Sequence, residues 1–146
     1  NEDIDKNIDE IIISCLNTKK TIVEKDEKES GLRRMLNFGH TIGHGIESAA
    51  NGSLYHGECV ALGMLPMCSA TLRTRLTAVL KKLGLPLAAS VGADEACKAM
   101  LHDKKMAENG VIAVMVDEAG EGYFKKLSAA ELTQTAKAFL NGGLGI

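Results

Sequence analysis

Asn37-Phe38-Gly39-His40-Thr41-Ile42-Gly43-His44-Gly45-Ile46-Glu47 sets two histidines four residues apart among three glycines, and its reading decides what kind of domain this chain forms. Ile42 and Ile46, with Leu32, Met35 and Leu36 upstream, follow helical spacing, so a helix is expected from about Leu32 to Ala50. Asn51-Gly52 would close it. Arg33, Asn37, His40, His44 and Glu47 recur along it at spacings of 4, 3, 4 and 3. At about 100° per residue they share an arc of roughly 80°, beside the apolar arc that would face a core. Gly39 and Gly43 lie at its margins and weaken a helix by about 1 kcal/mol each relative to Ala. That loss implies that something approaches the backbone closely there.

A solvated helix face is usually rich in Lys and Glu. This stripe instead offers a cation, an amide and two imidazoles, types suited to holding an anion and a metal. Thr41 stands where an H-E-x-x-H peptidase helix carries its catalytic Glu, so the pair needs another explanation. His56 follows a turn twelve residues after His44, and that turn could return it beside the first pair. Three histidines can make a zinc site with an open position. Spacing alone leaves open which two or three of them bind. His102, beside Asp103, reads as a surface residue.

Working outward, Ile4, Ile8, Ile11, Ile12 and Cys15 predict a first helix from about Asp3 toward Thr21, followed by a charged turn ending at Gly31. Glu58 to Leu65 is apolar on nearly all sides and reads as a buried helix that Pro66 kinks or shortens. Leu72 to Leu83 predicts a further helix stopped by Gly84, and Asp94 is a candidate cap for a short helix through Leu101. Only then does the period change. Val111 to Val116 is a β-branched run, separated by Gly120 and Gly122 from Tyr123 to Leu127, which predicts a small hairpin near residues 111–127. Ser128-x-x-Glu131 is a capping box for a last helix through about Leu140. The fold class is mainly α with one small β-hairpin.

At 146 residues the chain is one domain by length, and 45% hydrophobic with 25% charged residues is ordinary for a globular protein. A net charge of −2 gives no basic excess to suggest nucleic acid or an acidic membrane surface. No apolar run is long enough to cross a membrane and no signal-peptide pattern is present, so a cytoplasmic location is expected. Cys15, Cys59, Cys68 and Cys97 show no C-x-x-C spacing and read as reduced core thiols. The chain opens on Asn1 rather than Met, which suggests a piece of a longer polypeptide.

Several ordered motifs now carry a resemblance. Lys19, then Asp26-Glu27-x-Glu29-x-Gly31-Leu32-Arg33, then Leu36-Asn37-Phe38-Gly39-His40-Thr41-x-Gly43-His44-x-Ile46-Glu47, then His56-Gly57-Glu58-x-Val60-Ala61-x-Gly63-Met64 resemble the 3-dehydroquinate synthase family. Asp103-Lys104-Lys105 fits the same family downstream. The resemblance implies the helical C-terminal domain of that fold and the second enzyme of the shikimate route. Such an enzyme converts 3-deoxy-arabino-heptulosonate 7-phosphate into 3-dehydroquinate and phosphate. It implies bound NAD, recycled within the reaction, and a divalent metal, usually zinc, with cobalt as a substitute. It also implies a homodimer when full length.

Carried over by position, His40 and His56 resemble the metal-ligating histidines, and His44 the non-ligand histidine near the substrate phosphate. Lys19, Arg33, Asn37 and His44 match catalytic and substrate-contacting positions, as does a lysine of the Lys104–Lys105 pair. Two departures accompany the match. The family's N-terminal NAD-binding domain, with a glutamate as the third metal ligand, is expected to be missing from this chain. The stretch between Met67 and Leu85 is also shorter than usual for the family. The isolated domain is therefore expected to lack turnover. The alternatives are a related sugar-phosphate cyclase, whose substrate lacks the carboxylate, and a helical binding module without catalysis.

Overall fold

The computed structural model describes residues 2–101 and 110–142. Its backbone contacts separate Asn1–Leu36 from Asn37–Ile146. Among the described residues, no helix is long and apolar enough to cross a membrane.

In the first unit, helix α1 spans Glu2–Lys25, four residues further than the apolar spacing suggests. No described residue of this unit is buried, and Cys15, expected in a core, is exposed. The turn after α1 is organised by one carboxylate. Asp26 Oδ1 accepts from Ser30 N–H at 2.9 Å, while Oδ2 accepts from Gly31 N–H at 2.8 Å and Arg33 N–H at 3.0 Å. These backbone donors lower the Asp26 pKa to about 2, because each favours the ionised form.

The expected helix from Leu32 to Ala50 is broken. Leu32–Asn37 is a 3₁₀ helix, and α2 begins only at His40 and runs to Ala50. Gly39, between them, has φ of +78°, a left-handed conformation that L side chains rarely adopt. The polar stripe is thus divided: His40, His44 and Glu47 stand on α2, while Arg33 and Asn37 stand on the 3₁₀ segment. Leu32, expected in the core, is exposed; Ile42 and Ile46 are buried as expected. Asn51 (φ +46°) and Gly52 (φ +84°) end α2 as anticipated.

In the second unit, α2 packs between α3 (His56–Met64) and α5 (Ala93–Met100). The glycines mark this crossing. A Cβ on Gly43 would lie 2.9 Å from the Cys59 carbonyl oxygen, and one on Gly63 would meet the Gly39 carbonyl and the Gly43 nitrogen. The close approach expected at Gly39 and Gly43 is therefore the backbone of α3. Pro66 ends α3 as a short 3₁₀ turn, Leu65–Met67. Arg73, on α4 (Ala70–Lys82), donates to the Leu65 carbonyl at 2.8 Å and the Cys68 carbonyl at 3.1 Å, satisfying groups left open by that turn.

Asp94 does not cap α5. Gly92 holds that position, and Asp94 pairs with Lys137 at 2.5 Å. Strands β1 (Val111–Glu118) and β2 (Glu121–Leu127) form the anticipated antiparallel hairpin, with Val111 opposite Leu127 and Val114 opposite Phe124. Ser69 joins α4 to β1: its hydroxyl donates to the Asp117 carbonyl at 2.7 Å and accepts from Leu72 N–H. The capping box forms as expected, with Glu131 N–H on the Ser128 hydroxyl and Ser128 N–H on the Glu131 carboxylate, and starts α6 (Ala129–Leu140). Ile42, Ile46, Leu62, Leu65, Met67 and Leu132 are the most deeply buried large side chains, so the core lies behind the histidine-bearing edge of α2.

Candidate metal centre

Three histidines meet at one edge of the α2–α3 pair. His40 is the first residue of α2, His44 lies one turn further, and His56 opens α3 after the Asn51–Gly52 turn. Their ring centroids are 5.5 Å (His40–His44), 5.6 Å (His40–His56) and 5.7 Å (His44–His56) apart. The turn does return His56 beside the first pair. The glycine crossing places it there, because α3 sits against the backbone of α2 rather than against side chains.

Glu47 completes the group. One donor atom each from His44, Glu47 and His56 lies within 4.8 Å of the others. Glu47 Oε2 is 3.0 Å from His56 Nδ1, and His40 Nδ1 is 3.3 Å from the Phe38 carbonyl oxygen. The apolar stripe of α2 is anchored in the core, with Ile42 and Ile46 no more than 1% exposed, so these polar groups stand on a rigid base. Imidazoles and a carboxylate are the donor set zinc uses, at Zn–N distances of about 2.0–2.1 Å. Two or three of these atoms can converge on one such ion with small side-chain movements.

The nearby thiol is different in kind. Cys59 is buried, and burial, reinforced by the Glu47 and Glu58 carboxylates, raises its pKa, so it stays protonated behind the site. Glu58 reaches back to accept Tyr55 N–H at 2.7 Å at the start of α3. Its role in the His56-Gly57-Glu58 run is thus to set the helix start that carries His56.

Of the other residues singled out by sequence, Lys19 is exposed on α1 and Asn37 is exposed at the end of the 3₁₀ helix. The Arg33 guanidinium donates to the Glu27 carbonyl at 2.9 Å. Lys104 and Lys105, with His102 and Asp103, lie outside the described residues. Glu47 had a place in the polar stripe but no assigned partner. Its signal was its place three residues after His44, combined with a turn able to bring His56 back.

The helical fold is shared with two solved synthase structures. The chain superposes on 2-deoxy-scyllo-inosose synthase, solved with carbaglucose-6-phosphate, NAD+ and Co2+, with a TM-score of 0.73 and 22% identity over 90% of this chain and 42% of that one. It superposes on 2-epi-5-epi-valiolone synthase from Streptomyces hygroscopicus, solved with NAD+ and Zn2+, with a TM-score of 0.65 and 20% identity over 83% of this chain and 37% of that one. These likenesses establish the fold class.

Sequence comparison identifies the family. Residues 1–106 match the model for the 3-dehydroquinate synthase C-terminal family, and the chain belongs to that family. The 3-dehydroquinate synthase of Clostridium perfringens is 38% identical over 133 residues, covering 84% of this chain and 38% of that protein. That of Geobacter metallireducens is 38% identical over 144 residues, covering 91% and 39%. The chain thus spans about two fifths of the length of the curated relatives it matches.

Proposed function

We propose that this chain is the metal- and substrate-binding part of a 3-dehydroquinate synthase, working with an NAD-binding domain to form 3-dehydroquinate and phosphate from 3-deoxy-arabino-heptulosonate 7-phosphate. The observation that carries the reading is the convergence of His40, His44 and His56, all within the family's matched segment. A structural histidine is buried and individually satisfied; here three partly or fully exposed rings share one edge beside a carboxylate.

His40 and His56 are the proposed ligands, with a carboxylate from the NAD-binding domain as the third. Both have Nδ1 directed at an acceptor, the Phe38 carbonyl for His40 and the Glu47 carboxylate for His56, which leaves Nε2 for an ion. Ligating histidines usually hold their second nitrogen in this way. A divalent ion held there supplies a Lewis acid that acidifies a substrate hydroxyl and polarises the neighbouring carbonyl, while NAD supplies reversible hydride exchange. His44 stands one turn along α2, where it orients the phosphate and can hold a proton near it. Lys19, Arg33, Asn37 and a lysine of the Lys104–Lys105 pair provide the fixed charge and amide contacts that a phosphate and a carboxylate require.

The test is complementation. The 146-residue chain alone should give no dehydroquinate, and activity should return when the NAD-binding domain of a relative is added with zinc. His44→Asn in the complemented enzyme should keep bound zinc and lower kcat at least about 10²-fold, within the range for a lost proton-handling group. Turnover by the pure chain would overturn the division of labour between domains. Loss of zinc in His44→Asn would move that residue into the ligand set.

A further inference from the structure

Glu47 enters the proposed function only as an acceptor beside His56, touching neither ion nor substrate, and its geometry gives it a defined task. Its Oε2 lies 3.0 Å from His56 Nδ1, nine residues along the chain and across the Asn51–Gly52 turn. A neutral imidazole has one nitrogen that donates and one that accepts, and a metal takes the bare one. The hydrogen bond made by the other nitrogen decides which is bare.

We propose that Glu47 is a positioning residue: it accepts the Nδ1–H of His56 and so holds that ring in the tautomer and orientation that present Nε2 to a divalent ion. This deepens the metal-centre reading above and rests on it.

Three observations support the assignment. First, His56 opens α3 with its side chain 53% exposed, so packing does little to choose its rotamer and a hydrogen bond must do so. Second, Glu47 is a firm anchor. It follows Ile46, which is 0% exposed, on a helix whose Gly43 and Gly45 are pressed against α3 and α5. Among the described residues, no Lys or Arg forms a salt bridge with this carboxylate, so none competes with His56 for it. Third, the 3.0 Å separation is a hydrogen-bond distance. Two ligands of one tetrahedral zinc, with arms of about 2.0–2.2 Å, stand roughly 3.3–3.5 Å apart. The Phe38 carbonyl does for His40 what Glu47 does for His56, so both rings present the same edge.

The competing arrangement is direct ligation by Glu47, whose oxygen also lies within 4.8 Å of donor atoms of His44 and His56. The two are separable on the 146-residue chain. Long-range 1H–15N spectra of the metal-free protein should show His56 as the Nδ1–H tautomer, and Glu47→Ala should abolish that preference. Zn2+ affinity, measured by chelator competition, should fall about 10–100-fold in Glu47→Ala. Glu47→Gln, whose amide oxygen can still accept from Nδ1–H, should recover most of that loss. In Co2+-loaded protein, X-ray absorption should count the same number of nitrogen ligands in the wild type and in Glu47→Ala.

An oxygen ligand present in the wild type and missing in Glu47→Ala would overturn positioning in favour of direct ligation. Wild-type tautomer and affinity in Glu47→Ala would overturn it while leaving the metal centre intact, provided His56→Ala loses the ion. Equal Co2+ binding by the wild type and His56→Ala would instead overturn the metal centre itself.

Discussion

On α1, Ile8, Ile11, Ile12 and Ile13 are 42–57% exposed, whereas on α2 Ile42 and Ile46 are 1% and 0% exposed. Both helices carry apolar residues at helical spacing. The difference is what lies against them. In the second unit, small residues at the crossings let the backbones of α3 and α5 close over the α2 stripe, and the core forms there. In the first unit no described residue is buried, and local order comes from the helix's own hydrogen bonds and from Asp26 collecting the loop's N–H groups. Helical spacing states where a stripe runs. It does not state what covers it.

That contrast can be broken by substitution. Ile46→Ala should destabilise the chain by about 3–4 kcal/mol, since it empties a fully packed site. Ile12→Ala, removing as many methyl and methylene groups from an exposed face, should change stability by less than about 0.5 kcal/mol. Urea unfolding of both variants decides the matter, and equal losses would mean that the α1 stripe is covered in solution.

Gly63→Ala comes next, because one added methyl would meet the Gly39 carbonyl and the Gly43 nitrogen, both backbone atoms with no side chain to rotate away. A loss of about 2–3 kcal/mol is expected from forcing the helices apart. The substitution should also weaken zinc binding, since the same crossing sets His56 beside His40 and His44. A stable variant with wild-type zinc affinity would show that the crossing does not determine the site.

The same crossing explains which parts of the structure were legible in the sequence. The hairpin, the Ser128–Glu131 capping box and the end of α2 at Asn51–Gly52 are local signals, and each formed where expected. The gathering of the three histidines was legible as well, from an i, i+4 pair and a turn before His56. The break at Gly39 was not, because apolar residues keep helical spacing through Leu36 and Ile42, while the backbone packed against Gly39 belongs to α3, at Val60, Gly63 and Met64, more than 20 positions later. Asp94 likewise looked like a cap until Lys137, on another helix, engaged it. The Glu47–His56 contact joins two elements: periodicity set Glu47 on the stripe beside His44 but named no partner for it.

The smallest effect probes the unit without a buried core. Asp26 has its pKa lowered to about 2 from an ordinary 3.8, chiefly by the backbone N–H groups of Arg33, Gly31 and Ser30. A carboxylate whose folded pKa is depressed contributes stability that is complete above its unfolded value and is lost as the pH falls through the folded one. The Asp26 contribution should therefore be whole near neutrality, begin to shrink below about pH 4 and vanish below about pH 2. Asp26→Asn removes the charge and keeps one acceptor, so the gap in urea midpoint between wild type and variant should narrow progressively over that window. The carboxyl 13C resonance of Asp26 should titrate near 2 in the folded chain. A midpoint near 3.8, or a gap that stays constant into acid, would show that the loop is not held by this carboxylate. The first unit would then owe its order to the helical ladder of α1 alone.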